Sequence, residues 1–309
     1  MHTMIRDVMR PARRSGYVLV ALAAALWATL GIVSRFVLRD GVEPLELGFW
    51  RALIGGALFA TQAIVQRRTR LQRRDWPAVG AFAIIGVALF YYSYLGAVRD
   101  GGAAMAAILL YTAPAWVAVG SVLWLGERVS LRVAGVVVLT LAGVVLVALG
   151  GPRSGLRGSG LHPSGAAIAW GLVSGVAYAS YYIFGKRYLT RYAPATLFMY
   201  ALPLGAFVLF PAVRFAPKTA AIWGGIAFIG VVPTFAALHV YSAGLRRLDA
   251  TRAVTVATLE PVIAAALAYA VWDERLGALG YAGAALVLAG VLIMSRDTDG
   301  PQPLPGSSH

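Results

Sequence analysis

Residues 251–272 read TRAVTVATLEPVIAAALAYAVW, and residues 102–125 read GAAMAAILLYTAPAWVAVGSVLWL. Both runs are overwhelmingly apolar, too long for buried strands, and about as long as the ~20 residues a helix needs to cross a bilayer core. Each carries an internal proline, Pro261 or Pro114, and the first holds one carboxylate, Glu260, directly before its proline. Working outward, eight more such runs appear: Tyr17–Val37, Leu45–Gln66, Trp76–Val98, Val133–Gly150, Ser164–Gly185, Pro194–Val213, Ala220–Leu245 and Leu276–Ser295. The expected fold class is all-α integral membrane, with ten transmembrane helices.

Composition agrees. The 309 residues are 59% hydrophobic and only 13% charged, where a soluble domain carries about a quarter charged residues to face water. The formal net charge of +14 raises nucleic acid as a partner. However, the Lys and Arg residues cluster between the apolar runs, which fits anionic headgroups at a membrane face and no nucleic acid. Alternating the connections places 18 basic residues on the side of the N-terminus and 7 on the other. That excess predicts cytoplasmic termini for a multi-pass protein, with anionic lipid at the cytoplasmic face. The absence of cysteine excludes disulfides and thiolate metal sites. The first run is too long for a cleavable signal peptide and lacks a clear small-residue cleavage site.

The chain repeats itself. A shift of 147 residues carries Tyr94 onto Tyr241, Pro114 onto Pro261 and Glu127-Arg128 onto Glu274-Arg275. It also carries Ala142-Gly143-Val144 onto Ala289-Gly290-Val291, while a shift near 151 carries Trp27 onto Tyr178 and Arg35 onto Lys186. Five spans per half is an odd number, so the second half enters the membrane upside down. Such inverted repeats place a binding site near the midplane where the halves meet. The expected organisation is a basic cytoplasmic segment over 1–16, a first five-helix repeat over 17–150, and a Gly/Arg/Ser-rich linker over 151–163. A second, inverted repeat over 164–295 and a disordered Pro/Gly/Ser-rich tail over 296–309 complete it.

The stretches ALWATLGIVSRFVL, EPLELGFWRALIGGALF, YTAPAWVAVGSVLWLGE and LEPVIAAALAYAVWDE resemble the drug/metabolite transporter superfamily, in its ten-helix EamA-type branch. The resemblance covers roughly residues 15 to 295 and rests on Trp27, Pro44, Arg51, Pro114, Glu127, Glu260-Pro261 and Glu274 in order. Within that branch the tyrosine-rich third, fourth and sixth helices are most similar to YddG-type aromatic amino-acid exporters. The chain departs from the pattern in the seventh helix, where Ala201 stands in the place corresponding to Arg51.

Candidate site residues follow from polarity inside spans. A carboxylate at mid-span costs about 2.5–3.5 kcal/mol on insertion scales, so Glu260 must face the bundle interior. It reads either as a substrate-amine or proton-coupling ligand, or as a structural acid bonded to freed backbone or to Arg51. His239 is the one histidine inside a run and reads as a proton carrier or as packing. The 147 shift pairs it with Tyr92, pointing both toward one central cavity. Thr251, Thr255 and Thr258 form a polar stripe, and the repeat matches Tyr111 to Thr258. Ser174, Tyr178 and Tyr181/Tyr182 form another, with Trp27 matching Tyr178. Rings at Trp27, Tyr92, Tyr111, Tyr178 and Tyr182 could stack on a planar substrate and attract an ammonium, or simply pack. Tyr17, Trp76, Trp272 and Tyr281, at span ends, read as an interfacial belt. Arg51 reads as structural and paired to an acid, and Glu127 and Glu274 as latches at opposite ends. The expected substrate-binding set is therefore Trp27, Tyr92, Tyr111, Tyr178, Tyr182, His239, Thr258 and Glu260, with no cofactor and no metal.

The function these readings imply is a secondary transporter, not an enzyme, working by alternating access on a small-molecule substrate. The resemblance points to export of aromatic or other hydrophobic amino acids; a drug, nucleotide or sugar exporter of the same fold is the alternative. An intramembrane enzyme would need clustered acids, histidines or a nucleophile, and the thirteen acids are scattered. A purely structural or sensory protein would leave the repeat without a purpose.

Overall fold

The computed structural model describes residues 2–150, 164–273 and 275–296, without the side chains of residues 2–12, 103, 104 and 272. The expected linker 151–163, the tail beyond Arg296 and Glu274 lie outside the described residues. Among the described residues every regular element is helical. Ten helices are long and apolar enough to cross a membrane: α1 Arg13–Arg39, α2 Pro44–Val65, α3 Arg73–Gly102, α4 Met105–Leu125 and α5 Leu131–Leu149 form the first half. The second half holds α6 Gly165–Tyr188, α7 Pro194–Ala212, α8 Ala220–Leu245, α9 Ala250–Val271 and α10 Ala278–Arg296. Each covers one of the apolar runs.

Local chemistry sets the ends. Pro44 and Pro194 open α2 and α7, at first-turn positions whose N–H would be unbonded anyway. Ser130, Ser164 and Thr219 cap α5, α6 and α8, accepting from the N–H three residues on at 3.2, 3.0 and 3.3 Å. Lipid offers no hydrophobic drive between helices, so close contact depends on small residues. A Cβ on Gly143 of α5 would lie 2.8 Å from the Gly283 carbonyl oxygen of α10, so these two backbones meet only because glycine stands there.

The helices pair in a pattern that survives exchange of the halves. α3 packs along α6 as α8 packs along α1, while α2 pairs with α7 and α5 with α10. Backbone irregularities recur at the same 147-residue offset. A π-helical stretch, Ala83–Leu89, in α3 matches Val231–Ala236 in α8. The helix breaks at Tyr111–Thr112 in α4 and at Thr258 in α9. Left-handed residues follow both broken helices, Gly126 at φ 67° and Asp273 at φ 51°.

Hydrogen bonds identify two ends of the bundle. At the end bearing the chain termini, called the terminal end, Tyr17 Oη donates to the Met294 carbonyl at 2.9 Å and Arg252 donates to Tyr17 Oη at 3.2 Å. There too Tyr192 donates to Asp75 at 2.5 Å, Thr196 to the Arg68 carbonyl at 2.5 Å and Tyr200 to the Thr69 carbonyl at 2.8 Å. At the far end Glu46 holds Lys218 in a buried ion pair and accepts from Ala216 N at 3.1 Å. Gly277 N donates to the Gly150 carbonyl at 2.8 Å. Tyr17 is thus an inter-helix staple, 8% exposed, and not the interfacial ring its span-end position implies. Trp76 and Tyr281 are exposed on the outside.

Candidate functional site

The site begins at the prolines. Pro261 and Pro114 each lack the N–H their helix would use four residues back, which frees a carbonyl and loosens the turn. Thr258 Oγ1 donates to the Thr255 carbonyl at 2.5 Å, and Thr112 Oγ1 to the Leu109 carbonyl at 2.6 Å. Threonine hydroxyls thus add bonds to the backbone of the turn just before each break. Pro233 sits inside the π-helical stretch of α8, where Thr234 Oγ1 donates to the Ile229 carbonyl at 2.8 Å.

These breaks border a cavity of about 540 Å³. α1 to α4 and α6 to α9 line it, while α5 and α10 contribute nothing. Its walls are aromatic: Trp27, Phe90, Tyr91, Tyr94, Tyr111, Tyr178, Tyr181, Tyr182 and Tyr241. The rings brace one another. Trp27 lies 5.3 Å from Tyr241, Tyr241 meets Tyr182 edge-on at 5.4 Å, and Phe90 stacks on Tyr178 at 5.6 Å. Tyr182 Oη donates to Tyr178 Oη at 3.3 Å, while the buried Tyr241 hydroxyl has no partner among the described residues. Two charged side chains of opposite sign face this apolar enclosure, Arg51 from α2 and Glu260 from α9.

An internal cavity between two matching sets of helices is a carrier's architecture, and the family comparison decides the matter. Residues 14–149 match the EamA-like transporter family, and residues 165–296 match it again. The chain belongs to that family. This EamA-family chain is a multi-pass membrane transporter, and its relatives bear transporter names. It is 31% identical over 284 residues to an uncharacterized transporter of Archaeoglobus fulgidus, covering 92% of this chain and 97% of that one. It is 27% identical to the uncharacterized transporter YwfM of Bacillus subtilis, covering 89% and 92%. A probable terminal-alkyne amino-acid exporter of Streptantibioticus cattleyicolor is 24% identical, covering 91% and 93%. A solved crystal structure shares the fold with a TM-score of 0.75 at 20% identity, over 90% of this chain and 96% of that one.

Of the candidate residues read from the sequence, the EamA-family cavity brings together Trp27, Tyr111, Tyr178, Tyr182 and Glu260. It leaves out three. Tyr92 is 50% exposed on the outside of α3, edge-on to Trp170 at 5.7 Å. His239 stacks on Phe59 at 5.2 Å, and its Nε2 lies 3.0 Å from Gln62 Nε2. Thr258 is buried, its hydroxyl committed to backbone, with Thr251 and Thr255 buried beside it. The repeat does match Tyr92 to His239, but neither position lines the cavity: Tyr92 is exposed on the outside, and His239 is packed against α2. The same repeat marks Tyr94 and Tyr241, which do line the cavity and were absent from the candidate set.

Arg51 departs furthest from expectation. It has no acidic partner among the described residues. Its Nε donates to Thr234 Oγ1 at 3.1 Å and its guanidinium lies 5.5 Å from the centre of the Tyr91 ring. Glu127, at the terminal end, accepts from Ala250 N at 3.2 and 3.1 Å through its two oxygens. Burial raises its carboxyl above the ordinary range and Asp249 adds to this, against the opposing Ala250 bond and Lys186.

Proposed function

We propose that this protein is a secondary transporter exporting small amphipathic metabolites, foremost aromatic and other hydrophobic amino acids, by alternating access. The observation that carries the reading is the aromatic cavity with a carboxylate, Glu260, at the break of α9. Stacked rings match a planar hydrophobic side chain, and a carboxylate beside them matches an α-ammonium group. Tyrosine-rich walls also support the likeness to YddG-type exporters, and the relative named a probable terminal-alkyne amino-acid exporter points to the same substrate class.

The mechanism we infer is rocking of two inverted five-helix repeats, residues 17–150 and 164–295, about this cavity. The reading draws on the double family match, the exchangeable helix pairing and the recurring breaks. The distribution of basic residues supports cytoplasmic termini with anionic lipid against that face, and the Bacillus subtilis relative points to a bacterial cell (inner) membrane.

Purified protein in liposomes tests the function. Labelled L-phenylalanine should exchange across the membrane unmodified, with other hydrophobic amino acids competing and sugars and nucleotides not. Trp27→Ala, Tyr111→Ala and Tyr178→Ala should each weaken competition about tenfold, the scale of one lost aromatic contact. Failure of all three to do so removes the cavity as the substrate site. Single cysteines at Arg68 and Arg187 should react from the same side of the membrane; reaction from opposite sides overturns the inverted arrangement.

A further inference from the structure

We propose that Arg51 binds the substrate carboxylate, so that the cavity selects amino acids as zwitterions over the corresponding amines. This rests on the reading of the cavity as the transport site and names the second of its two charge contacts.

The argument starts with the neighbours of Arg51 on α2. Gly48 and Gly55 lie three residues before it and four residues after it, on the same helical face. A Cβ on Gly48 would lie 3.1 Å from the Tyr91 ring, and one on Gly55 would lie 2.7 Å from Thr234 Cγ2. Tyr91 and Thr234 are the two side chains that hold the guanidinium. Each of its holders is therefore seated against the bare backbone of the helix that carries it. Thr234 commits its own proton to the Ile229 carbonyl, which leaves its oxygen lone pair for Arg51 Nε. Both flanks of the guanidinium are fixed by packing, and only its outer edge is uncommitted.

That edge is the functional part. The terminal nitrogens of Arg51 make no hydrogen bond to the described residues, and they are not buried atoms. Other arginines of this protein are used differently: Arg246 donates to the Leu189 and Tyr192 carbonyls, and Arg252 pairs with Asp249 at 3.2 Å. An arginine at membrane depth normally pairs with an acid or with backbone oxygens. Here the two terminal nitrogens present the parallel fork that fits a carboxylate in bidentate fashion.

Glu260 lines the same cavity, and it too has no hydrogen bond or ion pair among the described residues. The two charges thus face one apolar enclosure without touching each other. A zwitterion neutralises both at once. An amine lacking the carboxylate leaves Arg51 uncompensated in a low-dielectric site, which is the costly arrangement.

Competition against labelled L-phenylalanine uptake, with 2-phenylethylamine and 3-phenylpropionate as probes, tests this. In the wild type, L-phenylalanine should compete about 30-fold better than the amine, the scale of a charge-assisted bond pair. Arg51→Gln should shrink that preference to about threefold by weakening L-phenylalanine alone. Arg51→Lys, which keeps the charge and loses the fork, should fall between. Tryptophan fluorescence of detergent-solubilised protein titrated with the same probes reads binding where a variant no longer transports. If Arg51→Gln weakens the amine and the amino acid in parallel, Arg51 is structural and the proposal falls. If the wild type neither transports nor binds L-phenylalanine, the substrate reading fails first and takes this one with it.

Discussion

The two ends of α9 lie in opposite environments. Every residue from Ala250 to Thr258 is buried, whereas none from Leu259 to Val271 is. The first stretch is surrounded by α1, α4, α5, α6, α8 and α10; the second leans chiefly on α1 and α10 and borders the cavity. Its counterpart in the other half behaves differently. From Met105 to Leu110 in α4, the positions matched by the 147-residue shift, only Ala106 is buried. Equivalent pieces of a repeated sequence thus occupy unlike surroundings. That asymmetry shows which end is closed: the first half of α9 plugs the terminal end, and the cavity lies beyond it. Under the proposed mechanism the alternate state exchanges these roles, with Met105–Leu110 becoming the plug.

The comparison is broken most forcefully by adding bulk to each half of α9. Ala253 is fully buried, while Ala264 lines the cavity. Ala253→Leu should lower stability by about 1–3 kcal/mol through overpacking, seen as a lower melting temperature in detergent. Ala264→Leu should change stability by less than about 0.5 kcal/mol and still reduce L-phenylalanine transport, because it fills the cavity. Equal melting shifts would mean that the two halves are not distinct environments.

The next effect is at Arg252, 5% exposed, which joins Asp249 to Tyr17 at the plug's first turn. Arg252→Met should weaken closure of the terminal end by about 2 kcal/mol, the scale of bonds to a charged group. A cysteine at Thr255 should then react faster from that side. Tyr200→Phe removes one neutral bond, to the Thr69 carbonyl, and should shift the same labelling rate by about 1 kcal/mol or less. An Arg252 effect no greater than that of Tyr200 would move the seal from α9 to the α7 side of the bundle.

Much of this fold was legible in the sequence because lipid imposes a simple rule. Each span must satisfy its backbone internally and remain apolar for about twenty residues, so hydropathy alone finds the ten helices. The internal repeat was legible for a similar reason, since Pro114 and Pro261 mark breaks that recur in the backbone. The cavity was only partly legible. Periodicity shows that Tyr178, Tyr181 and Tyr182 share a region of α6, but not whether a polar face meets a cavity or a neighbouring helix. In α9, Thr251 meets Ser121 of α4 at 3.4 Å, and Thr255 and Thr258 spend their hydroxyls on the backbone of α9 itself. Arg51 was unreadable in another way. Its role depends on Thr234, 183 positions away in the chain, and on two glycines whose value lies in what packs against them.

The smallest expected effect concerns pH and Glu127, a carboxylate that bridges the halves at the plug. Glu127 accepts from Ala250 at the start of α9, where the helix dipole favours an anion, yet burial and Asp249 outweigh this and raise its carboxyl. Its charged surroundings are Asp249, which opposes ionisation, and Lys186, which favours it. Opening the terminal end returns Glu127 to water and to its ordinary value near 4.5. The closed end therefore binds the proton more tightly than the open end does. Linkage then makes closure more favourable as the pH falls through the raised value, with the gain complete below the ordinary one and lost again as the pH rises. Reaction of the Thr255 cysteine from the terminal side should slow a few-fold on acidification, after correction for thiol ionisation. Glu127→Gln, which keeps an acceptor oxygen and cannot ionise, should flatten that dependence. A slope unchanged in Glu127→Gln would assign the proton to a group deeper in the bundle, with Glu260 the first to test by the same substitution.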